Sequence, residues 1–262
     1  MSALEFTNLS VRYGTGRKAQ LAVDDVSLSV PVGGTLGLVG ESGSGKSSVA
    51  AAAVGLVRPS GGSITVDGVD IVGGGAAARA ARRRVQLVFQ DPFSALDPRM
   101  PVGASIAEAT RATGRKWSTD EKNERVRELL GFVDLDPDRA RELPGAFSGG
   151  QRQRITIARA LAAEPTVLIA DEITSALDVS VQGAILNLLR DLQSELNLSV
   201  LFISHNLAVV RYVSQSICVM RNGKVVEAGE TEALLANPSD PYTLELVNAV
   251  PVMGERVETE SV

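Results

Sequence analysis

Apolar and polar positions alternate through the first thirty residues, in ALEFTNLSVRY (3–13) and AVDDVSLSV (22–30), which stops at Pro31. That period of two predicts a pair of strands with one buried face. GGTLGLVG (33–40) is a short apolar run closed by glycines, as in a buried strand feeding a loop. The Ala-rich stretch 46–57 predicts a helix ending near Pro59, and GSITVDGVDI (62–71) a hairpin turning at Asp67-Gly68. RRRVQLVFQ (82–90) predicts another buried strand. From Pro92 to about Pro165 the pattern becomes helical, including 119–133 and a helix from Gln151 to Glu164. TVLIADE (166–172), SVLFISH (199–205) and SICVMRNGKVVEAG (216–229) restore strands, with an amphipathic helix over 179–196. Strands alternating with helices predict a parallel α/β sheet covered on both faces, and the run 92–165 an inserted helical subdomain. The Gly/Ala-rich stretch VDIVGGGAAARAARRR reads as a link or loosely packed loop.

Composition narrows this picture. The 262 residues suffice for a sizeable core. A net charge of −5 gives no electrostatic reason to expect nucleic acid as a partner. The single Cys218 excludes an internal disulfide and fits a reducing compartment. No secretory signal is visible in MSALEFTNLSVRYG, and no apolar segment approaches the ~20 residues needed to cross a bilayer. The expectation is a cytosolic protein whose link to a membrane comes through a partner.

The strongest chemical signal is GESGSGKS, Gly40 to Ser47, which satisfies G-x-x-x-x-G-K-[ST] between a strand and a helix. Gly40, Gly43 and Gly45 let the backbone curl until its N–H groups face phosphate oxygens, with Ser42 in the same loop. Lys46 reaches the β- and γ-phosphates, and the Ser47 hydroxyl suits Mg²⁺, with Ser48 next in line. A Gly-Ser surface loop is the bland alternative, and the complete motif in the right context argues against it. Asp171 and Glu172 end an apolar strand, where the first can hold Mg²⁺ and the second can orient or deprotonate a water. His205, the only histidine, ends another strand and could bond the γ-phosphate. Gln90 ends a third and offers an amide to Mg²⁺ or water. Tyr13 could stack on a base. Ser148-Gly149-Gly150 at the start of a helix forms a second anion site, one with no obvious phosphate of its own.

Together these motifs resemble the nucleotide-binding subunits of ABC (ATP-binding cassette) transporters, in order and over nearly the whole chain. Tyr13 matches the base-stacking position, GESGSGKS the Walker A loop and Gln90 the Q-loop. FSGGQ (147–151) matches the ABC signature, VLIADE the Walker B strand, SALD (175–178) the D-loop and His205 the switch histidine. The resemblance implies an α/β fold: a P-loop NTPase (RecA-like), its mainly parallel sheet core joined by an N-terminal antiparallel β subdomain and the inserted helical one. Residues 1–250 would form the cassette and 251–262 a short acidic tail. It implies ATP and Mg²⁺ as ligands. It also answers the question raised by Ser148: two cassettes pair head to tail. Ser148, Gly150 and Gln151 of one then contact the nucleotide of the other, with Asp178 along the seam.

VQLVFQDPFSALDPRM and NPSDPYTLELVNAVP resemble the oligopeptide/dipeptide importer branch, which also serves nickel. The resemblance implies two transmembrane permease subunits, an extracytoplasmic solute-binding protein, and placement on the cytoplasmic face of the cell membrane. A related second ATPase is favoured over a second copy as the pairing partner. The sequence departs from the branch pattern at Asp97-Pro98-Arg99, at Ile173 where proline is usual, and in a tail without cysteines. A nickel or other small-solute importer, and a non-transport ABC ATPase, remain alternatives. A P-loop kinase would not explain FSGGQ or SALD.

Overall fold

In the computed structural model, residues 1–14, 16 and 19–249 are described; the tail 251–262 lies outside them. Two antiparallel strands open the chain, β1 (Ser2–Tyr13) and β2 (Gln20–Pro31). β3 (Thr35–Val39) leads into the glycine loop and α1 (Lys46–Ala53). β4 (Gly61–Val66) and β5 (Val69–Asp70) form the expected hairpin, with Asp67 at φ 47° and Gly68 at φ 78° in its turn. These strands make a four-stranded sheet in the order β2-β1-β4-β5, antiparallel throughout.

The reading of 82–90 as one strand needs correction. α2 (Ala76–Arg83) takes up Arg82 and Arg83, and β6 spans only Val85–Val88. The second half of the Gly/Ala-rich stretch, Ala76–Arg83, is therefore a helix rather than a loop. Ala78 and Ala81 are buried on one side of it, and the Arg82 guanidinium donates to the Ile71 carbonyl. After β6 come α3 (Pro92–Ala95), α4 (Val102–Ala109), α5 (Thr119–Phe132) and α6 (Gly149–Leu161), all before β7 (Val167–Asp171). α6 starts two residues earlier than the sequence suggested, because Gly149 and Gly150 lie inside its first turn. α7 (Val179–Glu195), β8 (Ser199–Ser204), α8 (Leu207–Val213), β9 (Ser216–Arg221) and β10 (Lys224–Glu230) follow. α9 (Thr231–Ala236) and α10 (Pro241–Asn248) end the described chain.

The second sheet runs β10-β9-β3-β8-β7-β6, parallel except for β10. Its central strands β3, β7 and β8 are apolar without alternation because both faces are covered. On β7, Leu168 and Ala170 face the cluster that includes the helices α4 to α8, whereas Val167 and Ile169 face the cluster of β1, β2 and α1. Parallel pairing of β8 with β3 and β7 brings the residues just past their C-terminal ends to one sheet edge, where ligands bind in open α/β sheets.

Candidate active site

The loop from Gly40 to Gly45 joins β3 to α1, and its shape needs glycine. Gly45 has φ 107°, and a Cβ there would stand 2.4 Å from the Ala22 carbonyl oxygen. At Gly43, φ 83°, a Cβ would meet nothing within 4 Å, so this glycine faces open space. Lys46 folds back over the loop. Its Nζ donates to the carbonyls of Gly40 at 2.7 Å and Glu41 at 2.8 Å, and to Ser44 Oγ at 3.3 Å. The side chain is only 4% exposed, and burial pushes its pKa down against the charges of Glu172, Asp171 and Glu41.

Asp171 is the last residue of β7. Burial pushes its carboxyl pKa up, opposed by a hydrogen bond from Ser47 and the charge of Lys46, while Glu172 adds to the rise. Its Oδ1 is buried without a hydrogen-bond partner. An orphaned carboxylate oxygen beside a hydroxyl is a donor set that fits a divalent cation. Glu172 follows at φ 50°, a left-handed conformation that costs a non-glycine residue on the order of 1–3 kcal/mol. Its N–H donates to the Ile203 carbonyl at 2.9 Å, which ties it across to β8. The chain turns there, and Glu172 Oε1 comes 3.3 Å from His205 Nδ1.

Gln90 donates from Nε2 to Ser175 Oγ at 3.0 Å, and Ser175 Oγ donates to the Glu172 carbonyl at 2.9 Å. Ser42, Gly43, Gly45, Lys46, Ser47, Ser48, Gln90 and Glu172 line one polar cleft of about 440 Å³. His205 joins it through Glu172, and Tyr13 through its hydroxyl, 3.2 Å from Ser48 Oγ. The sequence reading missed part of the wall: Gln20 to Ala22 at the start of β2, and Asn222 and Gly223 in the β9–β10 turn. Only the Asn-Gly turn at 222–223 left a sequence signal, and it spoke of a hairpin rather than of a site.

Four expected contact residues are not in this cleft. Ser148 caps α6, accepting from Gln151 N while the Gln151 side chain accepts from Ser148 N, a reciprocal capping box. Asp178 caps α7, accepting from Val181 N at 3.0 Å. The two helix starts abut, for a Cβ on Gly150 would stand 2.4 Å from Val181 Cγ1. Ser148, Gly150, Gln151 and Asp178 thus form a second cluster, apart from the phosphate loop of the same chain.

A family model described as ABC transporter matches residues 23–175. A Brucella abortus protein provisionally named a peptide import ATP-binding protein is 50% identical over 246 residues, 93% of this chain and 73% of that protein. The oligopeptide transport ATP-binding protein OppD of Mycobacterium tuberculosis is 50% identical over 231 residues, 88% of this chain and 37% of OppD. Among solved structures, a dimeric ATP-binding cassette in a post-hydrolysis state with ADP and Pi superposes with a TM-score of 0.75 at 27% identity. That match covers 87% of this chain and 98% of the other.

Proposed function

The chain belongs to the ABC transporter family, and from that premise we propose that it is the ATP-hydrolysing subunit of an oligopeptide importer. The observation that carries this reading is the convergence of Lys46, Asp171 and the Glu172–His205 pair beside one glycine loop.

The loop N–H groups and Lys46 bind the β- and γ-phosphates. To do so, Lys46 exchanges the Gly40 and Glu41 carbonyls for phosphate oxygens, which are stronger acceptors. Ser47 and Asp171 would hold Mg²⁺, with Gln90 as a further oxygen donor; the bound ion would neutralise phosphate charge. Glu172 orients the attacking water and takes its proton, and His205 holds the Glu172 carboxylate and reaches toward the γ-phosphate. The water oxygen bonds to the γ-phosphorus as the bond to the β-bridging oxygen breaks, releasing ADP and phosphate. Tyr13 stacks on the base. Replacing Glu172 with glutamine tests the assignment through turnover, which should collapse while nucleotide binding persists.

Ser148, Gly150 and Gln151 serve the nucleotide of a second cassette, with Asp178 on the seam. Both half-sites are present in one chain, so the pair proposed here is two copies of it, where the resemblance alone had favoured a related second ATPase. A groove of about 570 Å³ beside Gln90, walled by Phe89, Ser94, Ala109 and Arg159, receives a helix of the permease pair. Cassette closure on ATP would then move that helix, with peptide delivered by an external solute-binding protein. No described helix is long and apolar enough to cross a membrane. Docking of the permease helix in that groove would hold the chain at the cytoplasmic face.

A further inference from the structure

The DPYT segment marks the importer branch in sequence, yet nothing in the hydrolysis chemistry uses it. The structure joins it to the phosphate loop. Tyr242, in the first turn of α10, is 1% exposed, and its hydroxyl accepts the Glu41 N–H at 2.9 Å. The carbonyl of that same Glu41 holds Lys46 Nζ at 2.8 Å. One residue of the loop therefore connects the C-terminal helix to the phosphate-binding lysine.

Tyr242 is itself firmly placed. The Glu227 carboxylate accepts from Ser239 N at 2.8 Å and Asp240 N at 3.2 Å, fixing the turn before α10. Asp240 caps α10 by accepting from Tyr242 N at 2.8 Å, and Pro241 begins the helix. The Arg221 guanidinium lies 4.5 Å from the ring centroid. Arg221 directly precedes Asn222-Gly223 of the cleft wall, and Gly223 N donates to the Ser44 carbonyl at 3.0 Å. The loop is thus braced from two sides, at Glu41 and at Ser44.

We propose that Tyr242 is a positioning residue for nucleotide binding, acting through Glu41 to hold the phosphate loop and Lys46 in the conformation that receives ATP. Without its hydroxyl the Glu41 N–H loses its buried acceptor and the loop relaxes. This inference rests on the reading of residues 40–47 as the ATP site.

The test is MgATP binding by the full chain, measured by titration calorimetry for wild type, Tyr242→Phe and Leu234→Ala. Leu234 is buried in α9 and touches none of the cleft. Tyr242→Phe should raise Kd about tenfold, the equivalent of roughly 1.4 kcal/mol. Leu234→Ala should lower the melting temperature and leave Kd within about twofold, which separates positioning from general destabilisation. A wild-type Kd in Tyr242→Phe would overturn the inference, as would an equal loss in Leu234→Ala. A wild-type chain that binds no MgATP would overturn the ATP-site reading beneath it.

Discussion

Glu172 Oε1 lies 3.3 Å from His205 Nδ1 although 33 positions separate the two residues. Neighbouring parallel strands bring them together: Asp171 on β7 pairs with Ile203 on β8, and each side chain stands just past its strand. A carboxylate held by an imidazole, beside a lysine that is only 4% exposed, is placed to manage the proton of an attacking water. Glu172→Gln keeps the shape and removes the base. MgATP affinity should stay within about twofold while turnover falls roughly 10²- to 10⁴-fold. Wild-type turnover in this variant would remove Glu172 from the role.

Ser148 has two duties in the account, and a single substitution separates them. Its hydroxyl caps α6 within a reciprocal box, so Ser148→Ala should cost about 1 kcal/mol of stability. The single chain should still bind ATP normally, since Ser148 is absent from its own cleft. ATPase turnover should drop at least tenfold because a neighbour's phosphate loses a contact. Normal turnover at assay temperature, with the stability loss present, would reduce Ser148 to a helix cap.

Asp171 places function against stability. Burial raises its carboxyl pKa in the folded chain. Between the ordinary value of 3.8 and the raised one, the native state binds more protons than the unfolded state, so stability falls as pH climbs through that window. The loss persists at neutral pH. Asp171→Asn should therefore stabilise the nucleotide-free chain at pH 7, by about 1 kcal/mol, and abolish the further stabilisation that MgATP gives wild type. Calorimetric melts with and without MgATP check both halves. A lower melting temperature for the nucleotide-free variant would mean that Asp171 is held favourably as a carboxylate.

Much of this was legible in the chain because the phosphate loop is local: a curled backbone needs Gly40, Gly43 and Gly45 in order. Its flanking strands are apolar without alternation, since both sheet faces are covered. What escaped depends on distant pairing or on backbone state. Gln20 to Ala22 and Asn222-Gly223 reach the cleft only because the two sheets stack around α1. The left-handed φ of Glu172 leaves no composition signal, because glutamate has no preference for that region and takes it up only where the surrounding fold requires it. Arg82 and Arg83 were assigned to a strand by the apolar run after them, yet they close α2, where cations suit the negative end of the helix dipole. Tyr242 shows the same limit: DPYT marks the importer branch in sequence, and only the fold sets its hydroxyl against Glu41.

The central claim is that α6 of one cassette closes over ATP held by another, and the most direct measurement is mass in solution. The Glu172→Gln chain would be weighed by light scattering, without nucleotide, with MgADP and with MgATP. The expected mass in the first two conditions is the 27.5 kDa of one cassette. With MgATP twice that mass is expected, falling back to a single cassette when Ser148→Arg is added. A chain saturated with MgATP that keeps the mass of a single cassette would contradict it.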